Sequence, residues 1–499
     1  MKAIFFIWLL LPLPALSQLE MGKYFSGNMM LQRDEPIPVW GKAAPGSIVE
    51  VTLSNLTRSI VAASDSTWKL QLPAQAANHQ PQSLKISNGD TAVQFNNILI
   101  GDIWICLGQS NMEWPMIREK HYPEEIKNSL QPLLRFYNPT YAGKNIFGTG
   151  FSDSVAAGLT AGRFYKGYWQ ACDSSSFKTM SAVAWYFGKQ LTTDLNIPVG
   201  LIHLSIGGAP LETFIDVKTL LSGKQFAAKV KGDWLKNNAL PVWIRERGMQ
   251  NIGNIRDVPA DEYGKNHAFK PGFAFGAGIK PLLPMPVKGI ICYQGESNAQ
   301  EMERVMEYGA LTALMVNDYR KKWKKPALPF YFVQLSSIDS ANYRSQLWPL
   351  FRNEQRKMLQ LIPNIGMVVS SDIGAKNDVH PTNKKVIGER LARWALNKTY
   401  LKKILPSGPL PLKARYENGK VTLTFNYQGN RLLTADGTIV SGFSTDGHTD
   451  CNAFIENDKV IILAEARPAY VYYGWKPFTD ANLINSAGLP ASTFKIKVE

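Results

Sequence analysis

Between residues 98 and 107 the chain is almost continuously apolar, broken by Gly101 and Asp102, as expected of a strand covered on both faces of a parallel sheet. Comparable runs return at 199–206, 287–293, 329–335 and 366–370. The stretches between them, 182–191, 302–322 and 348–361, are longer and read as helices. A last helix is predicted near 383–396, where Val386, Ile387, Leu391, Trp394 and Ala395 share roughly one face and Pro381 stands just ahead. Strand and helix in alternation predict βαβ units and a doubly wound α/β sheet.

The flanks have another texture. From about 23 to 97, short β-prone runs such as 48–53 and 83–86 are separated by Pro-Gly, Ser-Asn and Asn-Gly turns, which predicts a small β-sandwich. After about 401 the pattern returns to strands and turns, at 420–425, 459–463 and 470–473. Residues from about 220 to 275 are rich in tryptophan, charge and glycine without clear period, and read as a long insertion of unassigned structure. The predicted division is a β-sandwich-like domain over 18–97, an α/β domain over 98–400 and a β-rich domain over 401–499. A chain of 499 residues exceeds one ordinary core, so several domains are natural.

Composition narrows the class. With 45% hydrophobic and 19% charged residues and no low-complexity tract, disordered and fibrous architectures are excluded. Met1 and Lys2 open onto a short apolar run, and a small-x-small site ends at Ser17, so residues 1–17 read as a cleavable secretory leader of a secreted or periplasmic protein. No later run is long enough to predict membrane insertion. The formal net charge of +15 is scattered, apart from clusters such as 321–325, and no nucleic-acid motif accompanies it. Four cysteines are too few for a disulfide scaffold; nothing requires Cys172 and Cys451 to pair, and Cys106 and Cys292 sit in apolar runs.

Four polar clusters follow the apolar runs, at 108–112, 205–209, 294–298 and 372–381. In open α/β sheets, ligands bind just beyond the carboxyl ends of strands. Among six histidines, His380 follows such a run beside Pro381, whereas His203 lies inside an apolar run and reads as structural. Neither H-E-x-x-H, paired C-x-x-C, P-loop nor Rossmann glycine pattern occurs, so no metal or other cofactor is expected.

The runs ICLGQSNMEWPM (105–116), SIGGAPLETF (205–214), CYQGESNA (292–299) and NDVHPTNKKVIGERLARWAL (377–396) resemble the blocks of SGNH hydrolases, specifically the sialate O-acetylesterase group. The stretch at 470–494 resembles that group's tail. The resemblance implies a three-layer, flavodoxin-like SGNH domain with β-sandwich-like flanks. It implies an esterase with Ser110 as nucleophile, His380 as base, and an oxyanion hole made by the Ser110 amide, Gly207 or Gly208, and the Asn298 side chain. A helix beginning at Ser110 would favour the developing oxyanion through its dipole and free amides. Gln109, Glu212 and Glu296 are expected to support these loops or touch the sugar.

One departure stands out. Many relatives place an aspartate three residues before the histidine; here that position is Asn377, and Asp378 is two before. Asp378, Asn377 or a backbone carbonyl can orient His380, Asp378 being the candidate and Asp372 its reserve. The implied substrate is an O-acetylated sugar, a sialic acid first and acetylated xylan or another plant glycan as the competitor. A sialic acid carboxylate calls for arginine, which makes Arg118 and Arg352 candidates. Trp114 can stack on a sugar ring or cap the core. A reading of another class is an inactive, carbohydrate-binding surface protein.

Overall fold

The computed structural model describes residues 19–89 and 91–499, and the leader assigned to 1–17 lies outside the described residues. After β1 (Met30–Gln32) and β2 (Asn78–Ser87), strand β3 runs for 17 residues, Ala92–Gly108. Its first six positions alternate between exposed and half-buried, whereas every residue from Ile98 onward is buried. The change of texture at 98 is therefore a change of cover within one strand. The first half pairs antiparallel with β2 in a sheet with one wet face, and the second half enters a sheet covered on both sides.

That central sheet also contains β4 (Gln131–Tyr137), β5 (Trp169–Cys172), β6 (Val199–His203), β7 (Gly289–Tyr293), β8 (Phe330–Val333) and β9 (Ile365–Val368), in the order β5-β4-β6-β3-β7-β8-β9. Neighbours are parallel except β5 on β4. Since β6 lies on one side of β3 and β7 on the other, the order reverses at β3, where a ligand crevice is expected. Strands β4 and β5 had no apolar run to announce them. In β4 the interruption is Arg135, which stays buried by donating to the Pro132 and Leu134 carbonyls. The apolar runs overshoot β6 and β8 because residues after the last ladder bond, such as Leu204, Ile206 and Leu335, are buried too.

The helices that frame the site include α1 (Ser110–Glu113), α2 (Ala182–Leu195), α3 (Val242–Ile252), α4 (Met302–Lys322), α5 (Trp348–Leu361) and α6 (Lys385–Trp394). In α6 the covered residues are Ile387, Gly388, Leu391, Ala392 and Trp394, with Val386 half-buried, close to the face the sequence predicts. None of the described helices is long and apolar enough to cross a membrane.

The segment 220–275 folds around side-chain anchors rather than a periodic stripe. Lys265 caps the end of α3 by donating to the Ile252, Gly253 and Ile255 carbonyls, and Trp234 donates to the Lys265 carbonyl. Towards the carboxyl terminus, β10 (Leu410–Glu417), β11 (Lys420–Asn426) and β12 (Lys459–Leu463) close on a core of their own that includes Val421, Leu423, Val460, Ile462 and Phe494. All four cysteines are free; Cys172 donates to the Ser129 carbonyl and is not joined to Cys451.

Candidate active site

Strand β3 ends on Gly108, whose φ is +138°, and a Cβ there would collide with the Tyr293 carbonyl at the end of β7. Only glycine allows the two strand ends to come so close and the chain to swing out, placing Ser110 as the first residue of α1. That helix is a single turn, ended by Trp114 in an extended conformation before Pro115. The long helix dipole expected at Ser110 is thus absent, and what remains is a set of free amides. The Met112 and Glu113 amides close on the Gln109 carbonyl, leaving Ser110 and Asn111 N–H without an acceptor among the described residues.

Folding brings His380 across 270 positions of sequence to put Nε2 2.7 Å from Ser110 Oγ. Its ring is stacked on Trp114 with centroids 5.4 Å apart. Burial, then the Lys384 cation, lower the His380 pKa below its ordinary value, against an upward pull from the Asp378 carboxylate. The imidazole is therefore neutral at pH 7 and can accept the hydroxyl proton.

The acid behind the histidine is loosely placed. Asp378 Oδ1 accepts the His380 backbone N–H at 2.8 Å but lies 3.6 Å from Nδ1, beyond a hydrogen bond, with its side chain 60% exposed. Asn377 is exposed. Asp372 is taken by Arg390, whose Nη1 and Nη2 reach its two oxygens at 2.8 and 2.7 Å. His203 has Nδ1 2.9 Å from Asn138 Oδ1, and burial pulls its pKa down to about 3.

On the opposite side of Ser110 stands the loop after β6. The Gly207 amide already donates to the Tyr141 hydroxyl at 3.1 Å, whereas the Gly208 amide, in a residue with φ +74°, has no acceptor among the described residues. Of the two glycines, Gly208 is the one with a donor to spare. Asn298 is fully buried. Its Oδ1 accepts from Leu211 N–H and Gln294 Nε2, and Nδ2 donates to Glu212 Oε2 at 3.0 Å, which leaves one Nδ2 hydrogen free. Against burial, which raises it, the Lys229 ammonium and the Asn298 amide hold the Glu212 carboxyl below its usual value. Gln109 Oε1 accepts from Ser297 N–H at 3.3 Å and from Gln294 Nε2 at 3.4 Å, stitching the first and third blocks together. Trp243, from the insertion, donates to the Ser297 carbonyl and walls the Gly208 turn.

Two residues of the site escaped sequence reasoning. Asn111 donates to Glu296 Oε1 and accepts from Lys384 Nζ, both at 2.5 Å, so a buried carboxyl, amide and amine form a chain beside Ser110. Burial pushes Glu296 up to about 7, opposed by the Asn111 amide, and pulls Lys384 down to about 7, opposed by nearby carboxylates. Their signal was position: Asn111 follows Ser110, and Lys384 stands four residues past His380, at the N-cap of α6.

The two arginines separate. Arg118 is exposed, with its guanidinium 5.9 Å from the centre of the Trp114 ring, at the rim of the site. Arg352 is corrected: it is fully buried in α5, with Nη1 and Nη2 donating to the Gly474, Lys476 and Pro477 carbonyls. It fastens the carboxyl-terminal strands to the α/β body and faces no substrate.

A hydroxyl paired with a neutral imidazole, next to unpaired amides at a topological switch point, is equipped for acyl transfer. Fold and site together are those of an ester hydrolase, with Ser110 and His380 side by side at the switch point. Residues 277–397 match the family described as carbohydrate esterase, sialic acid-specific acetylesterase. The chain is 27% identical over 450 residues to the sialate O-acetylesterase of Homo sapiens, covering 83% of this chain and 78% of that one. Against the sialate O-acetylesterase of Mus musculus it is 26% identical over 478 residues, covering 85% and 82%. A carbohydrate acetylesterase from Xanthomonas citri has the same fold, with a TM-score of 0.79 at 28% identity over 96% of this chain and 100% of that one. The chain is thus similar in sequence to sialate O-acetylesterases and in structure to a carbohydrate acetylesterase.

Proposed function

We propose that the protein is a carbohydrate O-acetylesterase that removes acetyl groups from sialic acids. The observation that carries this reading is the 2.7 Å approach of His380 Nε2 to Ser110 Oγ. Ser110 Oγ attacks the acetyl carbonyl while its proton passes to His380 Nε2. The oxyanion is held by the Ser110 and Gly208 amides and the free Asn298 Nδ2 hydrogen, each donor worth about 3 to 4 kcal/mol in the transition state. His380 returns the proton to the departing sugar oxygen, leaving an acetyl-enzyme. Water then attacks that ester, His380 takes its proton and passes it back to Ser110 Oγ, and acetate leaves.

In this reading Asp378 steers His380 through the loop, and Gln109 and Glu296 hold the surrounding turns. Arg118 receives the sugar carboxylate beside Trp114. The parallel order of the central sheet supports an SGNH hydrolase arrangement over 98–400 with β-rich flanks at 18–97 and 401–499, and the leader-like sequence pattern of 1–17 supports export.

Hydrolysis of p-nitrophenyl acetate by the wild type and not by Ser110→Ala tests the esterase; equal background rates from both would return the chain to the inactive, sugar-binding reading. Acetate release from O-acetylated sialic acids, compared with acetylated xylo-oligosaccharides, tests the substrate.

A further inference from the structure

A cleft of about 520 Å³ opens where the α/β body meets the carboxyl-terminal strands. Its lining includes Tyr331 and Ile365, at the amino ends of β8 and β9, while Ser110 follows the carboxyl end of β3. These strands are parallel, so the cleft and Ser110 occupy opposite edges of the sheet, separated by roughly 20 Å from strand rise and spacing.

Arg356, on α5, lines the cleft although it is only 9% exposed. Its Nε and Nη2 are held by Asn353 Oδ1 and the Lys495 carbonyl, but Nη1 has no partner among the described residues. Burial lowers the Arg356 pKa to about 10, and the group stays charged at neutral pH. Lys398 is exposed at the same cleft, and no carboxylate is among its described lining residues. The Glu354 carboxylate, which pulls the Arg356 pKa upward from outside the lining, is held by Lys357 at 2.8 Å, so two cations in a lining without a carboxylate suit an anion.

The third wall is aromatic. Tyr427 is held at φ +57°, a conformation costly for a bulky residue, with its carbonyl accepting Asn485 Nδ2 at 2.7 Å and its ring packed edge-on to Trp394. Asn364, Asn426 and Gln360 add amides to the lining. An aromatic face next to amides suits a pyranose ring and its hydroxyls.

We propose that this cleft binds an acidic pyranose sugar, whose carboxylate is taken by Arg356 and Lys398 and whose ring lies against Tyr427, at a site separate from the Ser110 centre. The proposal stands independently of the reading of Ser110, since it uses none of that site's residues.

The test is titration of the full-length protein with D-glucuronic acid and with D-glucose, followed by ligand-observed NMR, for the wild type, Lys398→Ala and Tyr427→Ala. The expected result is that glucuronate binds the wild type, glucose binds about tenfold or more weakly, and each substitution weakens glucuronate by about tenfold or more. Hydrolysis of p-nitrophenyl acetate should stay at the wild-type rate in both variants. The proposal is overturned by a wild type that does not bind glucuronate, by variants that bind it as tightly as the wild type, or by equal affinity for glucose. Should Tyr427→Ala fail to fold, Lys398→Ala decides alone, because that side chain is exposed and has no described partner.

Discussion

The Asp378 Oδ1 atom lies 2.8 Å from the His380 backbone nitrogen and 3.6 Å from its Nδ1, so the carboxylate holds the loop before it holds the ring. An orienting carboxylate bonded fully to the imidazole is worth about 10⁴ in rate. Asp378→Asn should therefore lower kcat/KM by less than about tenfold. Since the Asp378 charge raises the His380 pKa, its loss should move the acid limb of the pH–rate profile to lower pH. A fall near 10⁴ would mean that the bond closes in the working enzyme.

Lys384 acts on the same imidazole with the opposite sign. Its charge lowers the His380 pKa, so Lys384→Met should move the acid limb to higher pH. Activity that needs neutral imidazole is present above that pKa and lost as pH falls through it. The two variants should displace the limb in opposite directions, which pH profiles of kcat/KM on one ester will read.

Removing either half of the central pair is a harsher change. Ser110→Ala and His380→Ala should each lower kcat by at least about 10³, with far-UV circular dichroism unchanged.

Asn298→Ala tests the donor set. It should reduce kcat by about 10² to 10³ with little change in KM, because in the proposed mechanism the free Nδ2 hydrogen acts only on the oxyanion. A rise in KM alone would reassign Asn298 to sugar binding.

Arg352→Leu should leave KM for an acetylated sugar unchanged and lower the thermal midpoint. It strips the Lys476 carbonyl of its described donor, at about 1–3 kcal/mol for an unsatisfied group before relaxation, while the Gly474 and Pro477 carbonyls keep the Thr493 hydroxyl and the Ile338 N–H. Thermal unfolding and Michaelis kinetics on the same preparation separate this from a role in holding substrate.

The parts of the molecule visible in the sequence were those written in apolar periodicity or short loops. The buried half of β3, the strands β6 to β9 and the packing face of α6 come from residue pattern, and Ser110 and His380 from blocks that follow those strands. What stayed hidden depends on side chains meeting across the fold. Strand β4 conceals Arg135 by feeding its donors to its own carbonyls; Arg352 looks like any helix arginine until the carbonyls of 474–477 come to meet it. The single-turn length of α1 follows from Pro115 but is masked by the helix-favouring residues before it.

Because β3 is hydrogen-bonded to β1 and β2 along one half and to β6 and β7 along the other, the Ser110 turn hangs from a strand gripped at both ends. A chain shortened to begin at residue 98 would keep every residue of the candidate site yet lose the parallel partner β1 and the antiparallel partner β2 that anchor the start of that strand. The amino-terminal β region thereby behaves as part of the serine's mounting, and trimming it should loosen the site even though none of its side chains reaches the ester.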